Sequence, residues 1–391
     1  NMTGGVLTGT GSNSNRKKFG AAVTNNGTFS MSGGVITGCT NSEAVFSSGT
    51  FTMSGGSVTE NISTCLSGMT YNSVLSGGGV LIYGGTFTMT DDAEISFNTG
   101  YMGAGVGVYY TGSVFNMCGG SINNNSAGID PAESTFNENN GCGGGVGVYG
   151  GAEFNMYGGT ISGNTAYIGD LAETNRMSGS NNSFDETGLG GGIYITEGTV
   201  NITGGSVTEN SALFAPYSEE GGKGGGIYIA DSSKGSAHVN ITGGSVTGNR
   251  SGNGNGDDIY SGYKEVPVSD LICLNTGGSA DIGSIFLAGN RTMLGICETI
   301  GSMKIASLSS EGKTSTGASI VRYLGDAVPG ENDIDAINFE GVSGLRKSSD
   351  GDELVIDLLD LSEVTSVSIE DMVFTGKEID TSGLNATLTI S

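Results

Sequence analysis

Apolar and polar residues alternate in short runs, and the runs recur in one order along most of the chain. The stretch GGGIYITEGTVNITGGSVTEN, Gly190 to Asn210, has near copies that begin at Gly77, Gly143 and Gly224. Each copy holds three segments. The first carries an apolar pair on alternate positions: Val80/Ile82, Val106/Val108, Val146/Val148, Ile193/Ile195 and Ile227/Ile229. The second repeats the device as Phe29/Met31, Phe51/Met53, Phe87/Met89, Phe115/Met117, Phe154/Met156, Val200/Ile202 and Val239/Ile241. A small polar residue stands inside each of these pairs: Ser30, Thr52, Thr88, Asn116, Asn155, Asn201 and Asn240. Such period-two alternation predicts strands with one face in and one face out. The third segment has one inward residue per copy: Ile36, Val58, Ile95, Ile122, Ile161, Val207 and Val246. Helical periodicity is absent, so the fold class expected is all-β.

Three strands per repeat joined by Gly-Gly corners predict a right-handed parallel β-helix, a solenoid of three-strand coils. No coil can bury its apolar residues alone; stacking at about 4.8 Å makes a continuous core. The third segment ends on a column of asparagines, Asn61, Asn98, Asn125, Asn164, Asn210 and Asn249, with Cys39 and Thr10 in the same slot earlier. Asparagine tolerates a left-handed corner, and its amide both donates and accepts, so the column is expected to be an internal ladder. Glycan or metal binding is the functional rival for these residues. The regular coils are expected over 1–300, degenerating after about 260, with C-terminal coils or a cap over 301–362. Within that cap, 337–361 reads as a closing hairpin, because a solenoid end must cover its edge. Residues 363–391 read as the start of an Ig-like or linker β segment.

Spacing separates frame from ornament. The distance from the first glycine of a copy to its ladder asparagine is steady, whereas the distance onward to the next copy is not. The insertions 62–76, 126–142, 165–189 and 211–223 therefore leave one corner and are expected to share one edge, the usual binding face of such repeats. Phe136, Tyr167, Phe184, Phe214 and Tyr217 lie in them, among Asn, Ser, Asp and Glu. Tyr83, Tyr109 and Tyr149 end the first strand of successive copies and are expected to point outward, as are Tyr194 and Tyr228. Exposed aromatic rows stack on sugars or on a protein partner, though tyrosine also simply suits a β surface.

Composition narrows the function classes. Glycine supplies 73 of 391 residues, and a net charge of −25 argues against nucleic acid and anionic membrane as partners. No apolar run approaches the roughly 18 residues of a membrane span, so no membrane insertion is expected. The chain opens inside a repeat, since NMTGGVLTG at Asn1 matches NITGGSVTG, and is expected to be a monomeric piece of something longer. The cysteines Cys39, Cys65, Cys118, Cys142, Cys273 and Cys297 fall about one coil apart in sequential pairs. Cys118 and Cys142 do not share a column, so thiols are expected for that pair at least. No cofactor is expected except Ca2+, for which Asp257 and Asp258 in NGNGDD are the candidate ligands beside the plainer reading of a turn. No cluster of carboxylates with Arg, Lys or His marks a catalytic face. A polysaccharide lyase or glycosidase is the alternative function, and ice binding through the outward Thr/Asn/Ser column a lesser one.

Two motifs carry a resemblance. ISGNTA followed later by GGGIYI is similar to the paired Phe/Ile-x-x-Asn and Gly-Gly-Ala-Ile motifs of the chlamydial polymorphic outer-membrane adhesins. It resembles still more the pectin-lyase-like β-helix repeats of very large surface proteins in Gram-positive gut anaerobes, and MVFTGKEI resembles the start of the Ig-like modules that follow them. The resemblance implies an extracellular adhesin or elongated spacer on a bacterial cell surface, with host or microbial glycans or surface proteins as partners.

Overall fold

The computed structural model describes residues 1–9, 21–40, 42–63, 77–128, 141–167, 188–213, 222–230, 237–252, 254, 256–262, 271–289, 292–311, 313, 318–330, 333–339 and 343–358. These residues are all-β, with no helix among them, and most of the strands pair in parallel. The chain visits the same columns in the same order at each repeat, an arrangement compatible with a β-helix.

The first column stacks Val45–Ser47, Val80–Tyr83, Val106–Tyr109, Val146–Tyr149, Ile193–Thr196, Ile227–Ile229 and Ile259–Ser261 in register. The second stacks Thr86–Met89, Val114–Met117, Glu153–Met156, Thr199–Ile202 and His238–Ile241. The third stacks Glu94–Ser96, Ser121–Asn123, Thr160–Ser162, Ser206–Thr208 and Ser245–Thr247. In the two repeats before these, Thr28–Thr37 and Thr50–Thr59 run through both columns as single strands. The alternate apolar positions meet in one core, where all the inward residues of the first and third segments are buried. Like stacks on like: the rings of Phe51, Phe87, Phe115 and Phe154 lie parallel, with centroids 4.5 to 4.8 Å apart. Beside them the methionines interlock with the Gly-Gly corners. Gly120 has φ +79°, and a Cβ there would sit 2.8 Å from Cε of Met89 and closer still to the Ala93 carbonyl oxygen, so neither backbone nor space admits a side chain.

Two expectations need correction. The repeat has a fourth column, missed because its strands are only two residues long: Thr99–Gly100, Ser126–Ala127, Thr165–Ala166, Ser211–Ala212 and Arg250–Ser251 form a separate parallel sheet. The ladder asparagines also do not sit at the left-handed corner. The residue before each one does: Glu60, Phe97, Asn124, Gly163, Glu209 and Gly248 have φ between +53° and +71°. That twist turns the next side chain inward, which is why the ladder asparagines are buried.

Inside, the amides form a directed chain. Oδ1 of Asn98 accepts from both the backbone N–H and Nδ2 of Asn61, at 3.2 and 2.9 Å. Asn98 makes the same pair of bonds to Asn125, Asn125 to Asn164, Asn164 to Asn210 and Asn210 to Asn249. The second proton of each Nδ2 goes to a carbonyl of the preceding repeat, such as that of Ile122 for Asn164. Cys39 holds the expected slot and donates its N–H to Asn61; Thr10 lies outside the described residues. The polar column on the outside of the second strands is a second ladder. Its bonds run the other way, from Asn275 to Asn240, Asn201, Asn155 and Asn116.

After Ser251 the geometry changes. Asp281–Leu287 continues the third column at Asp281 and Ile282 and the first column at Ile285, Phe286 and Leu287, in one strand. No fourth-column strand follows among the described residues. Parallel pairing continues through Lys304–Ser310 and Ile337–Phe339, and through Thr292–Ile300 and Ser319–Tyr323. Glu353–Leu358 then pairs antiparallel with both Ser319–Tyr323 and Ser343–Lys347. Arg322 clamps this hairpin to the sheet through Glu353, Nη2 to Oε1 2.7 Å. Cys39, Cys118 and Cys297 are thiols; Cys118 is exposed whereas Cys142 is buried, so that pair is not bridged. Cys65 and the segment 363–391 lie outside the described residues.

Candidate functional site

The tyrosines of the first column leave the sheet on its outer side, yet most of them are not on the surface. Tyr109, Tyr149 and Tyr194 are buried and Tyr228 is half-buried; only Tyr83, 41 % exposed, is open as expected. The reason lies in the register. Outward positions one level apart read Phe46, Leu81, Gly107, Gly147, Tyr194, Tyr228, Tyr260 and Phe286. Where this column holds glycine, the tyrosine two residues later folds back over it. A Cβ on Gly107 would stand 2.7 Å from Cε2 of Tyr109, and one on Gly147 2.6 Å from Cε2 of Tyr149. The result is one continuous run of rings, Tyr109, Tyr149, Tyr194, Tyr228, Tyr260 and Phe286, with centroids 4.7 to 5.8 Å apart.

Tyr101, Met102, Cys142 and Leu189 pack over this run and make a second, smaller apolar cluster. Burial raises the hydroxyls of Tyr109 and Tyr149 well above their ordinary value, so both stay protonated. Tyr109 donates to the Met102 carbonyl at 3.4 Å, and the Tyr149 hydroxyl has no partner among the described residues. Lys223 Nζ stands 5.2 Å from the centre of the Tyr260 ring.

The insertion edge is built on the fourth column. At successive levels the chain departs after Ala127, Ala166, Ala212 and Ser251, and the departing residues hydrogen-bond the level before: Tyr167 N to Ala127 O, Leu213 N to Ala166 O. The returning residues Met102, Cys142 and Leu189 are bridged in register. These contacts correct the insertion limits: Thr165–Ala166, Tyr167 and Leu189 belong to the frame, as do Ser126–Ala127, Cys142 and Ser211–Ala212. Tyr167 is half-buried, its ring lying over Gly128. Phe136, Phe184, Phe214 and Tyr217 lie outside the described residues.

Asp257 and Asp258, the candidate calcium ligands, both have carboxylate oxygens engaged by groups of the frame. Asp258 is buried and occupies the slot that is the third glycine of the GGG triplet elsewhere. At Gly145 that slot has no room for a side chain, because a Cβ would stand 2.7 Å from the Gly192 carbonyl oxygen, with Nδ2 of Asn164 next to it at 3.1 Å. One level past Asn249 there is no further asparagine, and Asp258 fills the gap: Oδ1 accepts from N and Nδ2 of Asn249, and Oδ2 from N and Oγ of Ser284. Asp257 Oδ1 accepts from N and Oγ of Ser251. Among the described residues no three His, Cys, Asp or Glu side chains gather as a metal would need.

Two residues were passed over in the sequence. Glu43 stands in the slot that is the second glycine of the triplet at Gly78, Gly144, Gly191 and Gly225; it is buried, Oε2 accepts from Ser42, and Oε1 has no partner among the described residues. Burial raises its carboxyl above the ordinary value of 4.5. Tyr110 is 44 % exposed and has φ +72°, a left-handed conformation costing a bulky residue about 1–2 kcal/mol. The sequence signal was present in both cases: a charge or a ring in a slot where the adjoining level has glycine, Gly78 beside Glu43 and Gly84 and Gly150 beside Tyr110.

No family model matches the chain, and no curated protein or solved structure is significantly similar to it. Among the described residues no helix is long and apolar enough to cross a membrane.

Proposed function

We propose that the chain is a right-handed parallel β-helix from the repeat region of a large bacterial surface protein, resembling the pectin-lyase-like repeats of such proteins. In this reading it is extracellular and serves as an adhesin or an elongated spacer. It is monomeric, and it meets host or microbial glycans or surface proteins along the edge where the insertions leave. One observation carries the reading: the roots of the insertions stack in register on the two-residue strands of the fourth column. Loops so rooted present one edge on a frame that does not need them, since closure entropy grows only slowly with loop length.

The repeat at Thr99–Gly100 shows how the frame closes without an insertion, because Tyr101 and Met102 run straight into Gly103. Deleting 168–188 joins Tyr167 to Leu189 and reproduces that link. The shortened protein is expected to keep its circular dichroism and melt within a few degrees of the parent, and to lose adhesion to mucin and to arrayed glycans. Adhesion equal to the parent's on every surface tested removes the function from this edge.

A further inference from the structure

Tyr83 and Tyr110 stand on a different edge, the corner between the first and second columns. Five successive levels of that corner are 25–27, 47–49, 83–85, 110–113 and 150–152, tied to each other by backbone bonds such as Thr86 N to Gly49 O and Val114 N to Gly85 O. None of these residues carries a charge, although the protein's net charge is −25. The two tyrosines are 41 % and 44 % exposed, with centroids 4.9 Å apart and planes at 63°, so each ring keeps an open surface. Around them lie neutral hydrogen-bonding groups: exposed Asn26, whose Oδ1 accepts from Ser48 Oγ at 2.8 Å, and exposed Thr111.

Tyr110 is the informative residue. At its slot the levels on either side have Gly84 and Gly150, both with positive φ. Glycine meets that conformation without strain, whereas tyrosine is strained there and still leaves 44 % of its surface open, its ring edge-on to Tyr83 and outside both buried clusters. The ring is therefore not explained by the core.

We propose that Tyr83 and Tyr110 form a platform for a neutral polysaccharide lying along the column direction. Aromatic faces stack on the C–H faces of sugar rings, and the hydroxyls and the Asn26 amide meet sugar hydroxyls. Over these five levels the corner gives a cationic peptide or a polyanion nothing to pair with, the first charge along it being Glu197 one level further on. The rise per level, about 4.8 Å, is close to the length of one sugar unit. The proposal does not rest on the insertion edge.

The test is calorimetric titration of the parent, Tyr110→Gly, Tyr83→Ser and the 168–188 deletion with neutral hexasaccharides (glucan, mannan, xylan) and with oligogalacturonate. The parent is expected to bind at least one neutral hexasaccharide and not the charged one. Tyr110→Gly is expected to weaken that binding by about tenfold, the scale of one lost ring contact, while melting at or above the parent's temperature. Tyr83→Ser weakens it as well, and the deletion leaves it intact. The proposal is overturned if no neutral hexasaccharide binds, if oligogalacturonate binds as well as they do, or if affinity follows the deletion and not the tyrosines. A Tyr110→Gly protein that melts far lower overturns it too, by making the ring a structural anchor.

Discussion

Single residues in this protein are defined by the column they stand in. Asn164 has every polar atom of its side chain committed within the stack, to Asn125, Asn210 and the Ile122 carbonyl. Asn164→Ala should cost about 1–3 kcal/mol, the scale of buried partners left unmade, without touching adhesion; denaturant unfolding reads the loss. Asp258 terminates the ladder at its donor end, where a carboxylate meets four N–H and O–H groups. Asp258→Ala should cost on the order of 3 kcal/mol and Asp258→Asn less, because one amide oxygen still serves Asn249. The opposite ranking would mean that the charge is a liability. Glu43 shows how burial acts on a carboxylate without enough partners. Its carboxyl titrates above 4.5 in the fold, so its contribution to stability is intact below that pH and is lost as pH rises through the raised value. Glu43→Gln should thus raise the melting temperature at neutral pH and change it little below pH 4.5. An equal gain at both ends would place its cause elsewhere.

At the scale of elements, the inward and outward positions predict a sharp contrast. Ile195→Asp puts an unpaired charge into the core and should cost several kcal/mol. Thr208→Asp, beside the inward Val207, should cost less than about 0.5 kcal/mol. Equal melting losses would reverse the assignment of faces. The apolar columns and the asparagine ladder were legible because their signal repeats: a residue type returning at fixed spacing can only stack. Three features were not legible, each for a physical reason. The fourth column is two residues long, too short to show an alternation. The left-handed corner belongs to Glu60, Phe97, Asn124 and Glu209, which have no shared chemistry because only their backbone is used. The tyrosines were assigned outward correctly, but their burial depends on Gly107 and Gly147 leaving room for the rings to fold back, a contact between positions two apart on the same face.

For the whole molecule, the described chain has unlike ends. At one, Glu353–Leu358 runs antiparallel between Ser319–Tyr323 and Ser343–Lys347, breaking the parallel pattern. At the other, Met2–Thr8 pairs on one side only among the described residues, and Leu7, in register with the fully buried Ile36, is 39 % exposed. Between them the two amide ladders point in opposite directions. Each amide is a small dipole, and a one-way series sums as the peptides of a helix do. Two opposed series largely cancel. A duplicated repeat therefore adds one dipole of each sense and no net field along the stack. Lengthening the array by whole repeats therefore adds no dipolar term that rises with length, and the ladders set no limit of their own on the number of repeats.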